Sequence, residues 1–363
     1  PNEIQQITIR SANLRELPAT KLINCNLLDF AYNQLKTFPN FSFIAPDLFT
    51  LNIMRNPFYL SDVESERTFN TAVLAKIPDK LTTLNMEGTF YGSVERNIIS
   101  ARLPNLINFS CGRGGGAYFH PDTRSPDGSS AFCPDVPGSV TSYNITSNDF
   151  RSVDTNSQPS FGTNGSYSYK QLPNLVSLSV NNNYYLSDNA HTLASANSIS
   201  TINYSSTAVA IPNGLNGKTN LTNFTSRYNR NSGDIANNRS LLDSGGNYKF
   251  AGCTSLDTLN LYATNLGAVN FPTSFSNPAL SYLDLRYTSI KGGRPNTADG
   301  SQEYVIYAET FKEAVNISRL YIDSRNLGSN FPSGKNRIHP DAFLFNPELY
   351  YIWYRSYGAT TGN

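Results

Sequence analysis

SLDTLNLYATNLGAV, Ser255 to Val269, places leucines at 256, 259 and 261 and closes with Asn265 and Leu266. The alternation from Thr258 to Tyr262 reads as a short strand followed by a polar turn. A strand of that length is not stable alone in water, so the chain must supply neighbours for it. Counting Leu256 as position 1, the template is apolar at 1, 4, 6 and 11, with Asn or Thr at 9 or 10. It recurs from Ile4, Cys25, Leu48, Leu81, Leu106, Val140, Leu175, Ile199, Leu221, Leu256, Leu280, Ile317 and Leu349. Some copies are clear, such as LFTLNIMRNPF from Leu48 and LVSLSVNNNYY from Leu175. The copy from Leu221 is degenerate, with Ser226 in the apolar slot at position 6.

Thirteen copies with mixed short and long spacings indicate a stack of repeats, each burying its apolar row only against the units beside it. In such a stack positions 4 and 6 point inward, and positions 3, 5 and 7 point outward on one face. Position 9 is Asn at 33, 56, 148, 183 and 229, Thr at 89, 207, 264 and 288, Gly at 114 and Arg at 325. A polar side chain there can satisfy backbone groups where the chain turns away from the strand.

The pattern resembles the leucine-rich-repeat family, whose signature is LxxLxLxxN/CxL, and the resemblance covers essentially the whole chain. The segments ahead of the strands, FAGCTSLDTLNL, IPDKLTTLNM and VPGSVTSYNI, are similar to the irregular repeats of bacterial surface proteins. The resemblance implies an α/β solenoid with a parallel sheet on one face and helices and loops on the convex side. The alternative is a parallel β-helix, ranked second because the longer units carry helical patterns. A capping box at Ser61–Glu64 leads into SERTFNTAVLAKI, which Pro78 ends. SQEYVIYAETFKEAV, from Ser301, is amphipathic, and shorter helices are expected at SVERNIISA and SDNAHTLASA. The Gly/Pro-rich run from Gly112 to Ser139 reads as a long loop.

Composition narrows the function. Basic and acidic residues are balanced, 28 against 27, and charged residues make up 15% of the chain, so no dominant electrostatic partner is expected, neither nucleic acid nor a membrane surface. Asn, Ser and Thr number 44, 41 and 29, which leaves a neutral, hydrogen-bonding surface. Nine Asn-x-Ser/Thr sequons are what 44 asparagines give by chance, so they are no sign of glycosylation. No apolar run is long enough to cross a bilayer. Cys25, Cys111, Cys133 and Cys253 lack zinc or disulfide spacing, and Cys25 and Cys111 fall on inward positions. His120, His191 and His339 sit in different units, so no metal is expected. PDTRSPDG and NTADGSQE lack the alternating carboxylates of a calcium loop, and CGRGGG lacks a phosphate-loop continuation. No cofactor is implied.

The informative surface is the outward strand face. In the middle units it carries Asn144, Thr146, Ser179, Asn181, Asn203 and Ser205, all small and neutral. Toward the C-terminal end it gathers Tyr262, Tyr282, Arg286, Tyr287, Tyr321, Asp323, Trp353 and Arg355. Neighbouring strands lie about 4.8 Å apart, so these eight residues form one patch, the candidate ligand-binding site. Aromatics with arginine are the residue types that dominate interface hot spots. The competing structural reading makes Arg286, Asp323 and Arg355 a self-neutralising charge ladder with tyrosines as filler. A catalytic reading pairs Asp284 with Asp323 across adjacent strands, a diagonal of about 8 Å. Arg286 beside Asp323 would keep that carboxyl ionised, the wrong direction for a general acid.

Neither end carries a polar cap, which points to one solenoid over 1–363 that is a segment of a longer chain or is covered by neighbouring subunits. The expected function is a non-enzymatic recognition or assembly module, binding a protein or surface glycan at an extracellular surface or on a virion. Adhesion is the associated role. The alternatives are a purely structural virion or cell-surface component and a glycan-degrading β-helix.

Overall fold

The computed structural model describes residues 4–63, 69–90, 98–112, 134, 136–146, 166–167, 172–183, 187–188, 193–209, 211–229, 241–243, 246–264, 266, 274–288, 306, 309–323, 338 and 341–355. They form two compact units, Pro1–Asp188 and Asn189–Asn363. In the first unit, seven strands lie parallel in chain order: β1 (Gln6–Thr8), β2 (Leu27–Asp29), β3 (Thr50–Asn52), β4 (Thr83–Asn85), β5 (Asn108–Ser110), β6 (Ser142–Asn144) and β7 (Ser177–Ser179). In the second there are six: β8 (Thr201–Asn203), β9 (Asn223–Thr225), β10 (Thr258–Asn260), β11 (Tyr282–Asp284), β12 (Arg319–Asp323) and β13 (Tyr351–Arg355). All thirteen expected strands are present. Within each unit the pairing joins like positions, as in Leu51↔Leu84 and Leu259↔Leu283.

That register stacks position 4 into an inward row. Leu28, Leu51, Leu84, Phe109, Tyr143 and Leu178 in the first unit, and Ile202, Phe224, Leu259, Leu283 and Leu320 in the second, are all buried. Each such side chain contributes about 1.5–3 kcal/mol by leaving water. Larger rings fill the space behind the strands. Phe38 packs edge-on to Phe41 and Phe58, and Phe90 reaches both Phe58 and Phe69. In the second unit a run of contacts links Phe224, Phe250, Tyr248, Phe275, Phe311 and Phe343 at centroid separations of 5.0–5.9 Å. The architecture is a leucine-rich-repeat solenoid. Strands outside the main ladder are two-residue pieces among the described residues, such as Val136–Pro137 against Ser166–Tyr167, so the parallel β-helix is set aside.

Side chains at three positions hold the turn after each strand. At position 9, Asn56 Nδ2 donates to the carbonyls of Ile53 in its own unit and Phe30 in the preceding one, while its Oδ1 accepts from the Leu35 amide. Asn33 and Asn183 bridge units the same way. Thr89, Thr207 and Thr288 use their hydroxyls on the carbonyl three residues back, and Thr264 reaches across to Ser226 O. Asn148, Gly114 and Arg325 lie outside the described residues. At position 5, Asp29, Asn52, Asn85, Asn144, Asn203, Asn260 and Asp284 each accept from the amide two residues on. Between them, position 8 adopts the left-handed conformation: Ser11, Tyr32, Arg55, Asn182, Ser206, Tyr228, Ala263 and Tyr287 have φ of 52–60°, and Gly88 has 64°. Ser226, polar in an inward slot, is buried, and its hydroxyl accepts from Asn229 Nδ2.

Among the described residues the helices are short. The helix predicted from a Ser61 cap instead spans Thr71–Leu74, with Asn70 Oδ1 accepting from the Val73 amide. Ser61 Oγ accepts from the Val63 amide, two residues on, and residues 64–68 lie outside the described residues. Ile98–Arg102 is helical within the SVERNIISA segment. SQEYVIYAETFKEAV is not helical where it is described: Ile306 forms a parallel bridge with Ile338, and residues 309–313 are turns. The Tyr-Val-Ile-Tyr run there carries strand propensity, which outweighs the helical periodicity. SDNAHTLASA opens with a strand at Ser187–Asp188 and closes in turns. The three histidines, Cys133, both Asp/Gly loops and most of the Gly/Pro-rich run lie outside the described residues. Cys25, Cys111 and Cys253 are buried. No described helix is long and apolar enough to cross a membrane, and no described group of side chains could hold a metal.

Two lysines are buried in the second unit. Lys218 Nζ donates to Ala194 O at 2.8 Å and Asn197 Oδ1 at 2.9 Å, and Lys249 Nζ donates to Ile211 O at 2.8 Å. Burial lowers the Lys249 ammonium to about 8.

Left-handed φ costs an L-residue about 1–2 kcal/mol, so Ala263→Gly should stabilise the fold by about 1 kcal/mol in urea unfolding. Asn56→Ala should destabilise it by about 2–3 kcal/mol, because buried backbone groups in two units lose their partner. Lys249 binds fewer protons folded than unfolded between pH of about 8 and about 10.4, so its contribution to stability rises with pH across that window. Lys249→Met should therefore be most favourable relative to the wild type near neutral pH and lose that advantage as pH rises toward about 10. A pH-independent difference between the two proteins would show the ammonium to be solvated.

Candidate functional site

The in-register ladder decides which outward side chains meet. Tyr282, Arg319 and Tyr351 stand at position 3 of β11, β12 and β13, and Asp284, Tyr321 and Trp353 at position 5. Tyr321 lies between two position-3 rings, 5.3 Å from Tyr282 and 5.3 Å from Tyr351. At position 7, the Arg286 guanidinium sits over the rings of Tyr321, Tyr262 and Trp353 at 4.4, 4.9 and 5.0 Å. One cation therefore gathers rings from three other strands or the turns that follow them, each contact favourable through the ring quadrupole.

The left-handed turn at position 8 swings further rings against this group. Tyr262 meets Tyr228 at 5.1 Å and Tyr287 at 5.2 Å, both edge-on. Arg227, at position 7 of the ninth unit, lies 5.5 Å from the ring centres of both Tyr228 and Tyr262. Arg227 and Tyr228 were not in the expected set. They belong to the degenerate LTNFTSRYNRN unit, and its intact positions 7 and 8 are the signal that identifies them.

Arg286 pairs with Asp284, two residues back at the end of β11: Nε donates to Oδ1 at 2.9 Å and a terminal nitrogen to Oδ2 at 2.6 Å. Asp284 also accepts from the Arg286 amide and from the Tyr282 hydroxyl. Burial, with the Asp284 charge second, pushes the Tyr282 hydroxyl up to about 12, so it remains a donor. The hydrogen bond from Asp284 raises Arg286 further above its usual value. Position 7 folds back over position 5 and buries it, leaving Asp284 1% exposed. Both Asp284 oxygens are engaged by Arg286 and Tyr282. Asp323 and Arg355 are aligned in the backbone register, and their side chains lie outside the described residues.

Of the eight expected residues, the structure thus brings together Tyr262, Tyr282, Arg286, Tyr287, Tyr321 and Trp353. The first unit repeats the device once without the rings: Arg10 donates to Asp29, while Arg55 lies over Tyr32 at 5.2 Å. There, burial raises the Asp29 carboxyl, but hydrogen bonds from Arg10, the Ala31 amide and Asn52 outweigh it and leave the group lowered overall. The small neutral face of the middle units is internally satisfied. Thr146 Oγ1 contacts Asn144, Ser179 and Asn181, and Glu87 accepts from Ser110 and Asn144.

No family model matches the chain, and no curated protein matches it. Among solved structures, a leucine-rich-repeat protein of Leptospira interrogans aligns over 96% of this chain and 84% of its own, at 14% identity and a TM-score of 0.50. An internalin, InlF, of Listeria monocytogenes aligns over 97% and 87% at 13% identity and a TM-score of 0.49. The functional domain of InlJ from the same organism aligns over 88% of this chain at 15% identity and a TM-score of 0.49, and this chain spans 58% of that domain. At these identities the likeness is one of fold.

Proposed function

We propose that this leucine-rich-repeat chain is a non-enzymatic recognition module, working at an extracellular or virion surface, that binds a protein or glycan through the outward face of β10 to β13. The observation that carries this reading is Arg286, held from behind by the buried Asp284 and faced by Tyr262, Tyr321 and Trp353. A guanidinium fixed in this way loses little freedom when a ligand arrives, and the rings it organises are the side-chain types that dominate binding energy. Tyrosines used only as filler would have no need of a buried carboxylate to orient their common neighbour. Against catalysis stands the same pair, since the carboxylate nearest the patch is buried and fully engaged.

The test is a panel of glycans and purified surface proteins presented to the wild type, Trp353→Ala and Tyr321→Ala. Trp353 is the sole tryptophan, so its emission should respond when a panel member occupies the patch. Each variant should keep the wild-type melting temperature and lose affinity about 30-fold, the scale of a hot spot. Unchanged binding to every panel member by both variants would assign the face to structural packing.

A further inference from the structure

Positions 3, 5 and 7 of the six repeats that carry β8 to β13 hold only Thr, Asn, Ser, Arg, Tyr, Asp and Trp. An aliphatic side chain is missing from all eighteen, although protein interfaces bury an apolar core of about 65% non-polar area. The inner strands of this ladder are paired on both sides, so a peptide cannot add to them as a further strand. What the patch offers is tyrosine hydroxyls, ring edges and guanidinium groups, a set suited to a ligand rich in hydroxyls.

Charge narrows the ligand further. Four arginines, 227, 286, 319 and 355, face two aspartates, 284 and 323, at these positions. Arg286 and Asp284 neutralise each other. Arg227 and Arg319 are exposed, and neither pairs with a carboxylate among the described residues. Arg227 rests against Tyr228, which is 46% exposed, and Tyr262. Arg319 stands in register between Tyr282 and Tyr351, the latter 41% exposed. Three strand spacings and four residues of rise separate the two, a span of about 20 Å. A single small anion cannot reach both, and an extended polyanion can.

Resting on the recognition reading above, we infer that the ligand is an acidic polysaccharide, with Arg227 and Arg319 engaging acidic groups on either side of the tyrosine and tryptophan platform. Single-stranded nucleic acid fits less well, since base stacking needs open ring faces and Arg286 covers one face of Tyr262, Tyr321 and Trp353.

The experiment titrates Trp353 emission and heat of binding with polygalacturonate in calcium-free buffer. Dextran sulfate, neutral dextran, poly-L-glutamate and single-stranded oligouridylate serve as the other arms. Polygalacturonate or dextran sulfate should bind at least about tenfold more tightly than dextran, and the stronger of the two identifies the acidic group as carboxylate or sulfate. Raising NaCl from about 50 to about 500 mM should weaken that binding several-fold. Arg227→Gln and Arg319→Gln should each weaken it about tenfold at an unchanged melting temperature. The inference is overturned by equal binding of dextran, by indifference to both arginine variants, by tighter binding of poly-L-glutamate or oligouridylate, or by no binding of either polyanionic glycan. In the last case a panel ligand that still depends on Trp353 would leave the recognition reading standing.

Discussion

A three-residue strand contributes few ladder hydrogen bonds, so the fold depends on what holds the chain where it leaves the strand. That role falls to the polar side chain at position 9. Asn33, Asn56 and Asn183 each bind a carbonyl in their own unit and one in the unit before, tying consecutive repeats through buried amides. Exposed to water, such bonds would add little. Buried, they remove the cost of leaving several backbone groups unpaired. Threonine at positions 89, 207 and 288 bonds the carbonyl three residues back in its own turn. A ladder that mixes the two residues tolerates the uneven spacing of these repeats.

The same turn sets the outward surface. Position 5 caps the amide of position 7, position 8 takes a left-handed φ, and side chains at 7 and 8 are thereby carried back over the strand. In the middle units those side chains are Thr146, Asn181 and Ser205, and the surface stays flat. In the C-terminal units they are Arg227, Tyr228, Tyr262, Arg286 and Tyr287, and the identical backbone assembles a clustered aromatic patch. Burial of Asp284 follows from this geometry, because the residue two positions on is long enough to cover it.

Behind the strands, uneven repeat lengths leave gaps of varying size, and aromatic rings fill them where leucine would be too small. The chain from Phe224 to Phe343 carries the core across units of unequal length. Lys218 and Lys249 enter the same interior by giving their ammonium groups to backbone carbonyls, which is the compensation a buried charge requires.

Strand number, register and inward rows were legible from Ser255–Val269 and its copies, because a period fixed by pleat and stacking appears directly in the order of apolar residues. Position 4 and position 6 are buried as that period demands in the inner units, even where Ser226 breaks it, and exposed at Ile9, Ile352 and Tyr354 in the first and last. The helices were less legible: the Tyr-Val-Ile-Tyr run near Ile306 and the Ser61 box satisfy helical patterns, and only pairing with Ile338 and capping by Asn70 decide the outcome. The left-handed φ at position 8 leaves no trace in residue type, since Tyr, Arg, Asn, Ser and Ala all occupy it; it is imposed by the hydrogen bonds on either side. The sequence by itself determined the repeat and the inward and outward positions, and it named Tyr262, Tyr282, Arg286, Tyr287, Tyr321 and Trp353 of the C-terminal patch while missing Arg227 and Tyr228. Tertiary structure decided the pairing of Arg286 with Asp284, because charges choose partners by distance, and distance here is set by how the turn folds back.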